Sequence, residues 1–136
     1  TKSDLPNLFP DIAQTLHILS LENILTIVST NIRPAIEKAL VANEISKYFQ
    51  QILGAETNGA KSEKISFTIN QLGFKNRQVF MVGDSASDIR SARAADVQSI
   101  AVTWGFQSRT KLAKEKPDYI ATFPEEIIGI IHPKSK

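Results

Sequence analysis

Two aspartates spaced four residues apart, Asp84 and Asp88, are the clearest candidates for chemistry in this sequence. They follow residues 79–82, a run of β-branched and bulky apolar residues that is typical of a strand buried on both faces of a parallel sheet. Carboxylates just past the carboxyl end of a strand lie where open α/β sheets bind ligands, and Mg²⁺ commonly takes one or two carboxylates together with phosphate oxygens. The pattern predicts a magnesium site. The alternative is that Asp84 and Ser85 only cap the helix that follows.

Two further groups of polar residues lie at predicted strand-to-helix junctions. Ser29, Thr30 and Asn31 end the apolar stretch 24–28, and Lys61 stands directly before a helix. Such hydroxyl and amide side chains are usual N-cap residues, but the same junction also presents backbone N–H groups to an anion. A lysine at a helix start is unfavourable for the helix dipole, although a single loop lysine is usually just exposed. Together with the two aspartates, these residues describe a phosphate site, with donors for phosphoryl oxygens, an ammonium group and metal-binding carboxylates.

Strands and helices alternate along the chain, as the apolar spacing shows. It predicts strands at 24–28, 51–54, 79–83, 99–103 and 118–121, and helices at about 11–21, from Pro34, at 45–49, from Lys61 to Gly73, from Ala86, at 108–114 and from Pro124. This alternation predicts an α/β fold, a doubly wound, three-layer, Rossmann-like parallel sheet. We predict a single domain over 1–136, in which residues 1–10 form an extended lead-in and residues 11–136 form the core.

Length and composition limit the classes of protein that need to be considered. A chain of 136 residues fits one domain, and no apolar run approaches the roughly 20 residues of a membrane span. A net charge of +2 with scattered basic residues does not indicate nucleic-acid binding. The absence of cysteine excludes disulfides and thiolate chemistry and fits a cytoplasmic protein. No Gly-x-Gly-x-x-Gly occurs, which disfavours dinucleotide binding.

The ordered motifs resemble those of the haloacid dehalogenase superfamily of phosphohydrolases. Residues 27–31 are similar to its strand that ends in Ser or Thr, Lys61 to its lysine before a helix, and residues 83–88 to its Gly-Asp-x-x-x-Asp motif. Residues 88–95 and 102–106 resemble the phosphoglycolate phosphatase and β-phosphoglucomutase-like branch. The resemblance implies a Mg²⁺-dependent phosphatase that hydrolyses a small phosphomonoester through an aspartyl-phosphate intermediate.

The same resemblance implies roles for individual residues. Ser29 would hydrogen-bond the transferring phosphoryl group, with Asn31 nearby. Lys61 would offset the repulsion between an anionic nucleophile and an anionic phosphate. Asp84 would be a direct Mg²⁺ ligand, and Asp88 would hold a metal-bound water or orient Lys61.

The family's defining Asp-x-Asp motif, which supplies the nucleophile and the general acid/base, does not occur in the sequence. Asp4 has no strand before it and Asp11 opens a predicted helix, so neither can substitute. In the family, the strand with that motif lies between the strands carrying Ser29 and Asp84, and residues 7–10 resemble the segment that re-enters the core after the cap. We therefore predict the carboxyl-terminal part of a capped phosphatase, inactive alone, whose sheet is completed by an amino-terminal segment or a second subunit.

Two other classes of protein share this pattern of elements. A non-catalytic α/β domain used for docking or assembly would have its sheet closed by another subunit's strand. A phosphoacceptor receiver domain also has Asp, Thr and Lys at strand ends, but its acidic pair after the first strand is missing here. The expected partner is a small phosphorylated metabolite, and neither nucleic acid nor a membrane is expected.

Overall fold

The computed structural model describes residues 11–133, so the predicted lead-in at residues 1–10 lies outside the described residues. Two compact units divide between Asn58 and Gly59. All strand pairing within the described residues is parallel, which confirms the predicted α/β class. The single-domain organisation stays a prediction. No helix within 11–133 has the length and apolar character needed to cross a membrane.

The first unit is built around a short parallel strand pair. Its elements are α1 (Ile12–Ser20), β1 (Thr26–Val28), α2 (Arg33–Ala42), a 3-10 turn (Ser46–Tyr48) and β2 (Gln51–Leu53). Ile27 of β1 lies opposite Ile52 of β2. Both pack against a buried cluster formed by Ile36, Leu40 and Ile45. The spacing of Ile36 and Leu40 predicted this apolar face of α2, and the structure confirms it.

The second unit contains a parallel sheet in the order β3-β4-β5. Its elements are α3 (Lys61–Leu72), a 3-10 turn (Asn76–Gln78), β3 (Phe80–Gly83), α4 (Ala86–Ala94), β4 (Gln98–Val102), α5 (Arg109–Lys114), β5 (Tyr119–Ala121) and α6 (Glu125–Ile131). The predicted elements are present, with bounds that differ by one or two residues. Each strand therefore ends in a loop that leads into the next helix, as the alternation predicts.

The central strand β4 is covered on both faces. Ala101 packs with Ile89 of α4 and Leu112 of α5 on one face. Ile100 and Val102 point to the opposite face, because successive side chains of a strand alternate, and they are only 0% and 6% exposed. This packing is that of a layered sheet with cover on both sides, and it fixes the loops at the carboxyl ends of β3 and β4.

Strands β1 and β3 are each hydrogen-bonded to a single neighbour among the described residues, β1 to β2 and β3 to β4. The prediction that residues 79–82 are buried on both faces is therefore wrong for Val82, whose exposed fraction is 40%. The physical reason is that β3 lies at an edge of its sheet, so one flank of the strand lacks a neighbouring strand.

Candidate active site

The turn between β3 and α4 carries the two aspartates. Ser85 is the N-cap of α4, and its hydroxyl accepts a hydrogen bond from the backbone N–H of Asp88 at 3.2 Å. Capping by a serine hydroxyl satisfies one of the free N–H groups at the helix start. The capping role therefore belongs to Ser85, and the Asp84 side chain has different partners.

Asp88 is buried and uses both carboxylate oxygens. Its Oδ1 accepts a hydrogen bond from Lys61 Nζ at 2.6 Å, in an ion pair whose side chains are 21% and 9% exposed for Lys61 and Asp88. Its Oδ2 accepts a hydrogen bond from the backbone N–H of Asp84 at 3.2 Å. Charge-assisted bonds of this kind are short and directional. Asp88 thus fixes both the ammonium of Lys61 and the backbone of Asp84.

Lys61 is the first residue of α3, where its charge opposes the helix dipole. Two carboxylates offset that cost. Asp88 pairs with its ammonium group, and Glu63 Oε1 accepts a hydrogen bond from the Ala60 N–H at 2.8 Å. The structure therefore brings Lys61 to Asp88, which is 27 residues further along the sequence, and so to the turn that carries Asp84.

Asp84 is held by the loop that follows β4. Its Oδ2 accepts a hydrogen bond from the backbone N–H of Phe106 at 2.9 Å, and its carbonyl oxygen accepts one from the N–H of Gln107 at 3.1 Å. Neither of these bonds involves Asp84 Oδ1. The loop therefore holds one oxygen of the Asp84 carboxylate and does not bind the other. Phe106 belongs to the segment 102–106 that carries the family resemblance, but neither Phe106 nor Gln107 was predicted as a site residue. Their local signal was a position just past a predicted strand.

Two glycines allow the backbone to lie against these carboxylates. A Cβ atom built on Gly83 would lie 2.3 Å from Asp88 Cβ, and one built on Gly105 would lie 2.3 Å from Asp84 Oδ2. Real Cβ atoms essentially never come closer than 3.0 Å to a heavy atom outside their own residue and its chain neighbours. Glycine is the residue that permits such close backbone approach. The two carboxylates are thus packed directly against main chain.

The chemistry of the oxygen donors fits Mg²⁺ through Asp84. Mg²⁺ keeps several waters and is usually held by one or two carboxylates plus substrate phosphate. Within residues 11–133, no group of three or more His, Cys, Asp or Glu side chains could enclose a metal. Asp84 Oδ1, which the bonds from the loop after β4 do not use, would be one direct ligand. Direct ligation by Asp88 stays a prediction, because Lys61 and the Asp84 N–H already bind its oxygens.

In the first unit, Ser29, Thr30 and Asn31 form a tight turn after β1. The Ser29 hydroxyl accepts a hydrogen bond from the Asn31 N–H at 3.0 Å, and the Asn31 side-chain oxygen accepts one from the Ile32 N–H at 2.9 Å. Side-chain bonds to nearby backbone N–H groups are how such residues shape turns. Ser29 and Asn31 are therefore ordered by bonds within this turn.

The start of α2, which the sequence left open as an anion site, is capped by Glu56. Both oxygens of the Glu56 carboxylate accept from the Arg33 N–H, at 2.9 and 3.0 Å. The Asn31 carbonyl oxygen accepts from the Ala55 N–H at 2.7 Å, and a Cβ on Gly54 would lie 2.9 Å from the same carbonyl. The protein's own carboxylate thus fills this helix end. Sequence spacing gave no signal for Glu56.

A buried Lys–Asp pair beside a second, oriented carboxylate, at the carboxyl end of a parallel strand, is a set of groups suited to metal-assisted phosphoryl transfer. The family model for haloacid dehalogenase-like hydrolases matches residues 1–102. The chain belongs to the haloacid dehalogenase-like hydrolase family, which confirms the resemblance drawn from residues 27–31, Lys61 and residues 83–88.

Individual relatives agree with this family. The chain is 35% identical to pyrophosphatase PpaX of Oceanobacillus iheyensis over 127 residues, which cover 90% of this chain and 59% of that protein. It is 32% identical to a phosphoglycolate phosphatase of Salmonella choleraesuis over 117 residues, covering 83% of this chain and 46% of the relative. A haloacid dehalogenase-like hydrolase from Streptococcus pneumoniae has a similar structure, with a TM-score of 0.85 and 29% identity over 93% of this chain and 60% of that one. The chain spans about half the length of the curated relatives it matches.

Proposed function

We propose that this chain forms the carboxyl-terminal part of a Mg²⁺-dependent phosphatase that hydrolyses a small phosphomonoester through an aspartyl-phosphate intermediate. The observation that carries the proposal is the contact network of Lys61, Asp88 and Asp84, in which one ammonium group is fixed and the Asp84 carboxylate is oriented through one of its oxygens. The nucleophilic Asp and the general acid/base would come from a segment outside these residues. We therefore expect the chain to be inactive by itself.

Each residue of the network has a defined task in this proposal. Asp88 holds the Lys61 ammonium at one place, where a positive charge lowers the repulsion between an anionic nucleophile and a phosphate ester. Asp84 would hold Mg²⁺ through Oδ1, and the bound ion would neutralise charge on phosphoryl oxygens. On the family resemblance, the Ser29 hydroxyl would donate a hydrogen bond to a phosphoryl oxygen, with Thr30 and Asn31 shaping its turn.

The substrate class rests on the relatives. Their names denote a pyrophosphatase and a phosphoglycolate phosphatase, so both act on small, anionic phosphoryl compounds. We propose a phosphorylated metabolite of that size for this chain, and a cytoplasmic location where such metabolites occur. We propose neither a nucleic acid nor a membrane as its partner.

The test compares the chain alone with a completed chain. The completed chain carries the Asp-x-Asp strand and cap of the PpaX relative ahead of residue 1, and both proteins receive para-nitrophenyl phosphate and Mg²⁺. We expect hydrolysis by the completed chain and none by the chain alone. Hydrolysis by the chain alone that Asp84→Asn abolishes would show that the nucleophile lies within these residues, and would overturn the fragment hypothesis.

A second candidate is a non-catalytic docking or assembly domain. The observation that favours it is that β1 and β3 each have only one strand neighbour among the described residues. An exposed strand edge can pair with a strand from another chain. On this hypothesis the chain is an obligate dimer or hetero-complex at micromolar concentration, and the completed chain is folded but inert. Analytical ultracentrifugation together with the hydrolysis assay separates the two candidates.

A further inference from the structure

Gln107, which lies in the loop after β4, bonds to two backbone groups of the turn that carries Asp84. Its side-chain Oε1 accepts a hydrogen bond from the Ala86 N–H at 2.6 Å, and its own N–H donates to the Asp84 carbonyl oxygen at 3.1 Å. Ala86 is the first residue of α4 and Gln107 is partly buried. The turn that carries Asp84 is therefore tied at two points to a single residue from a different strand end.

The same loop binds one oxygen of the Asp84 carboxylate. The Phe106 N–H binds Oδ2 at 2.9 Å, and the backbone at Gly105 is so close that a Cβ there would lie 2.3 Å from the same oxygen. Rotation of the carboxylate would break the Phe106 bond. As long as the loop stays in place, Oδ2 is bound to it and Oδ1 is the oxygen that it does not bind.

We propose that Gln107 is a positioning residue for Asp84, which keeps Oδ1 open for a divalent cation by locking the loop 103–107 against the turn 84–86. This inference rests on the proposed function, because it deepens the role of Asp84 as the metal ligand. Gln107 itself would touch neither the metal nor the substrate. Its effect is preorganisation, since a carboxylate that is already oriented loses less freedom when it binds a cation.

Removing the Gln107 side chain has a defined local consequence. The Ala86 N–H at the start of α4 loses its acceptor, and the loop loses the bond that joins it to that helix. The remaining bonds to Asp84 are both donated by backbone N–H groups of the loop, those of Phe106 and Gln107, so they depend on the loop keeping its place. We expect the Asp84 carboxylate to sample other orientations in Gln107→Ala.

The test uses Gln107→Ala, the conservative variant Gln107→Glu, and Gln98→Ala as a matched control. Gln98 lies at the other end of β4, is partly buried, and also makes a side-chain bond to backbone, from Nε2 to the Arg77 carbonyl at 3.1 Å. We measure Mn²⁺ affinity by electron paramagnetic resonance, hydrogen exchange of the Phe106 amide by NMR, and thermal stability.

We expect Gln107→Ala to weaken Mn²⁺ binding about 10-fold or more and to speed exchange of the Phe106 amide. Gln107→Glu should restore both, because its carboxylate still accepts from the Ala86 N–H. Gln98→Ala should lower stability by a similar amount and leave both readouts unchanged. If Gln107→Ala loses only stability, as the control does, the positioning role is wrong.

The two proposals fail in different ways. If the unsubstituted chain and the completed chain both bind no Mn²⁺, the metal role of Asp84, and with it the proposed function, is overturned. The Phe106 amide still reports on the lock in that case. Unchanged Phe106 exchange in Gln107→Ala would overturn the positioning inference even if Mn²⁺ binds and the completed chain is active.

Discussion

At the scale of single residues, the ion pair of Lys61 and Asp88 explains how the chain holds the Lys61 ammonium group near the turn that carries Asp84. Both side chains are largely buried, and the Asp88 carboxylate is shared between the ammonium group and a backbone N–H. A buried pair gains little over an apolar pair, but removing one partner leaves a charge without compensation. We infer that the pair mainly positions the Lys61 ammonium group and contributes little net free energy to folding.

The ion pair makes a prediction about stability. Lys61→Met leaves the Asp88 carboxylate buried without its cation, so the free energy of unfolding of the chain should fall by about 3 kcal/mol. Adding Asp88→Asn to that variant should recover part of the loss, because the uncompensated charge is removed. Urea denaturation measures both.

Lys111→Met is the matched control for Lys61→Met, because Lys111 is exposed and in the same unit. Its effect should stay within about 0.5 kcal/mol. Equal effects of Lys61→Met and Lys111→Met would show that the ion pair is not formed in solution.

The close approach of main chain to Asp84 predicts opposite effects for two Gly→Ala substitutions in the second unit. Gly105→Ala places a Cβ 2.3 Å from Asp84 Oδ2, whereas a Cβ on Gly129, inside α6, meets nothing within 4 Å. We expect Gly105→Ala to lower the free energy of unfolding by about 1–3 kcal/mol. Gly129→Ala should raise it by about 0.5–1 kcal/mol, because alanine is the better helix former. Thermal denaturation in which both variants shift the same way would contradict the geometry.

At the scale of elements, the start of α4 orders the turn in which Asp84 lies. Ser85→Ala removes the hydroxyl that accepts from the Asp88 N–H, and we expect a loss of about 1 kcal/mol in the free energy of unfolding. Ser87, exposed in the first turn of the same helix, is the control, and Ser87→Ala should leave stability unchanged or slightly higher. Chemical denaturation that ranks the two serines equally would show that the cap does not form.

The elements were largely predictable because their signals are local. The spacing of Ile65 and Ile69 predicted the buried face of α3, and Gly73 predicted its end, where the structure has a φ of 76°. The contacts of Glu56 with Arg33 and of Gln107 with Ala86 were not predictable, since they join residues 23 and 21 positions apart. No local pattern encodes which loops meet in space.

For the candidate site, local sequence signals named residues but not the contacts between them. The end of the strand at 79–83 identified Asp84 and Asp88, because open α/β sheets bind ligands at the carboxyl ends of their strands. The start of a helix identified Lys61. Which oxygen of each carboxylate is occupied depends on the loops that pack against them, and only the structure shows this. The division of roles that we propose for Asp88 and Asp84 rests on those contacts.

At the scale of the whole molecule, the chain spans about half the length of the curated relatives that it matches. Strands β1 and β3 each have one strand neighbour among the described residues. Val82 of β3 is 40% exposed, which is high for a branched apolar residue in a parallel sheet. These observations support the proposal that a strand from outside these residues pairs with β3.

Val82→Ser tests that proposal in two settings. In the chain alone, part of the Val82 side chain is already in water, so the substitution should cost less than in the completed chain, where an added strand would cover it. We expect the loss in free energy of unfolding to be about 1 kcal/mol larger in the completed chain. Equal losses in urea denaturation of the two proteins would mean that the added segment does not cover β3.

The central claim is that Asp84 is the metal-binding carboxylate of a phosphatase site completed by a segment outside these residues. The most direct test is the Mg²⁺ dependence of para-nitrophenyl phosphate hydrolysis by the completed chain and by its Asp84→Asn and Asp96→Asn variants. Asp96 is an exposed aspartate of the same unit with a φ of 57°, a conformation that Asn also tolerates, so it controls for the loss of a carboxylate. We predict Mg²⁺-dependent turnover that falls about 100-fold or more in Asp84→Asn and is unchanged in Asp96→Asn. Turnover that is independent of Mg²⁺, or equal in the two variants, would contradict the claim.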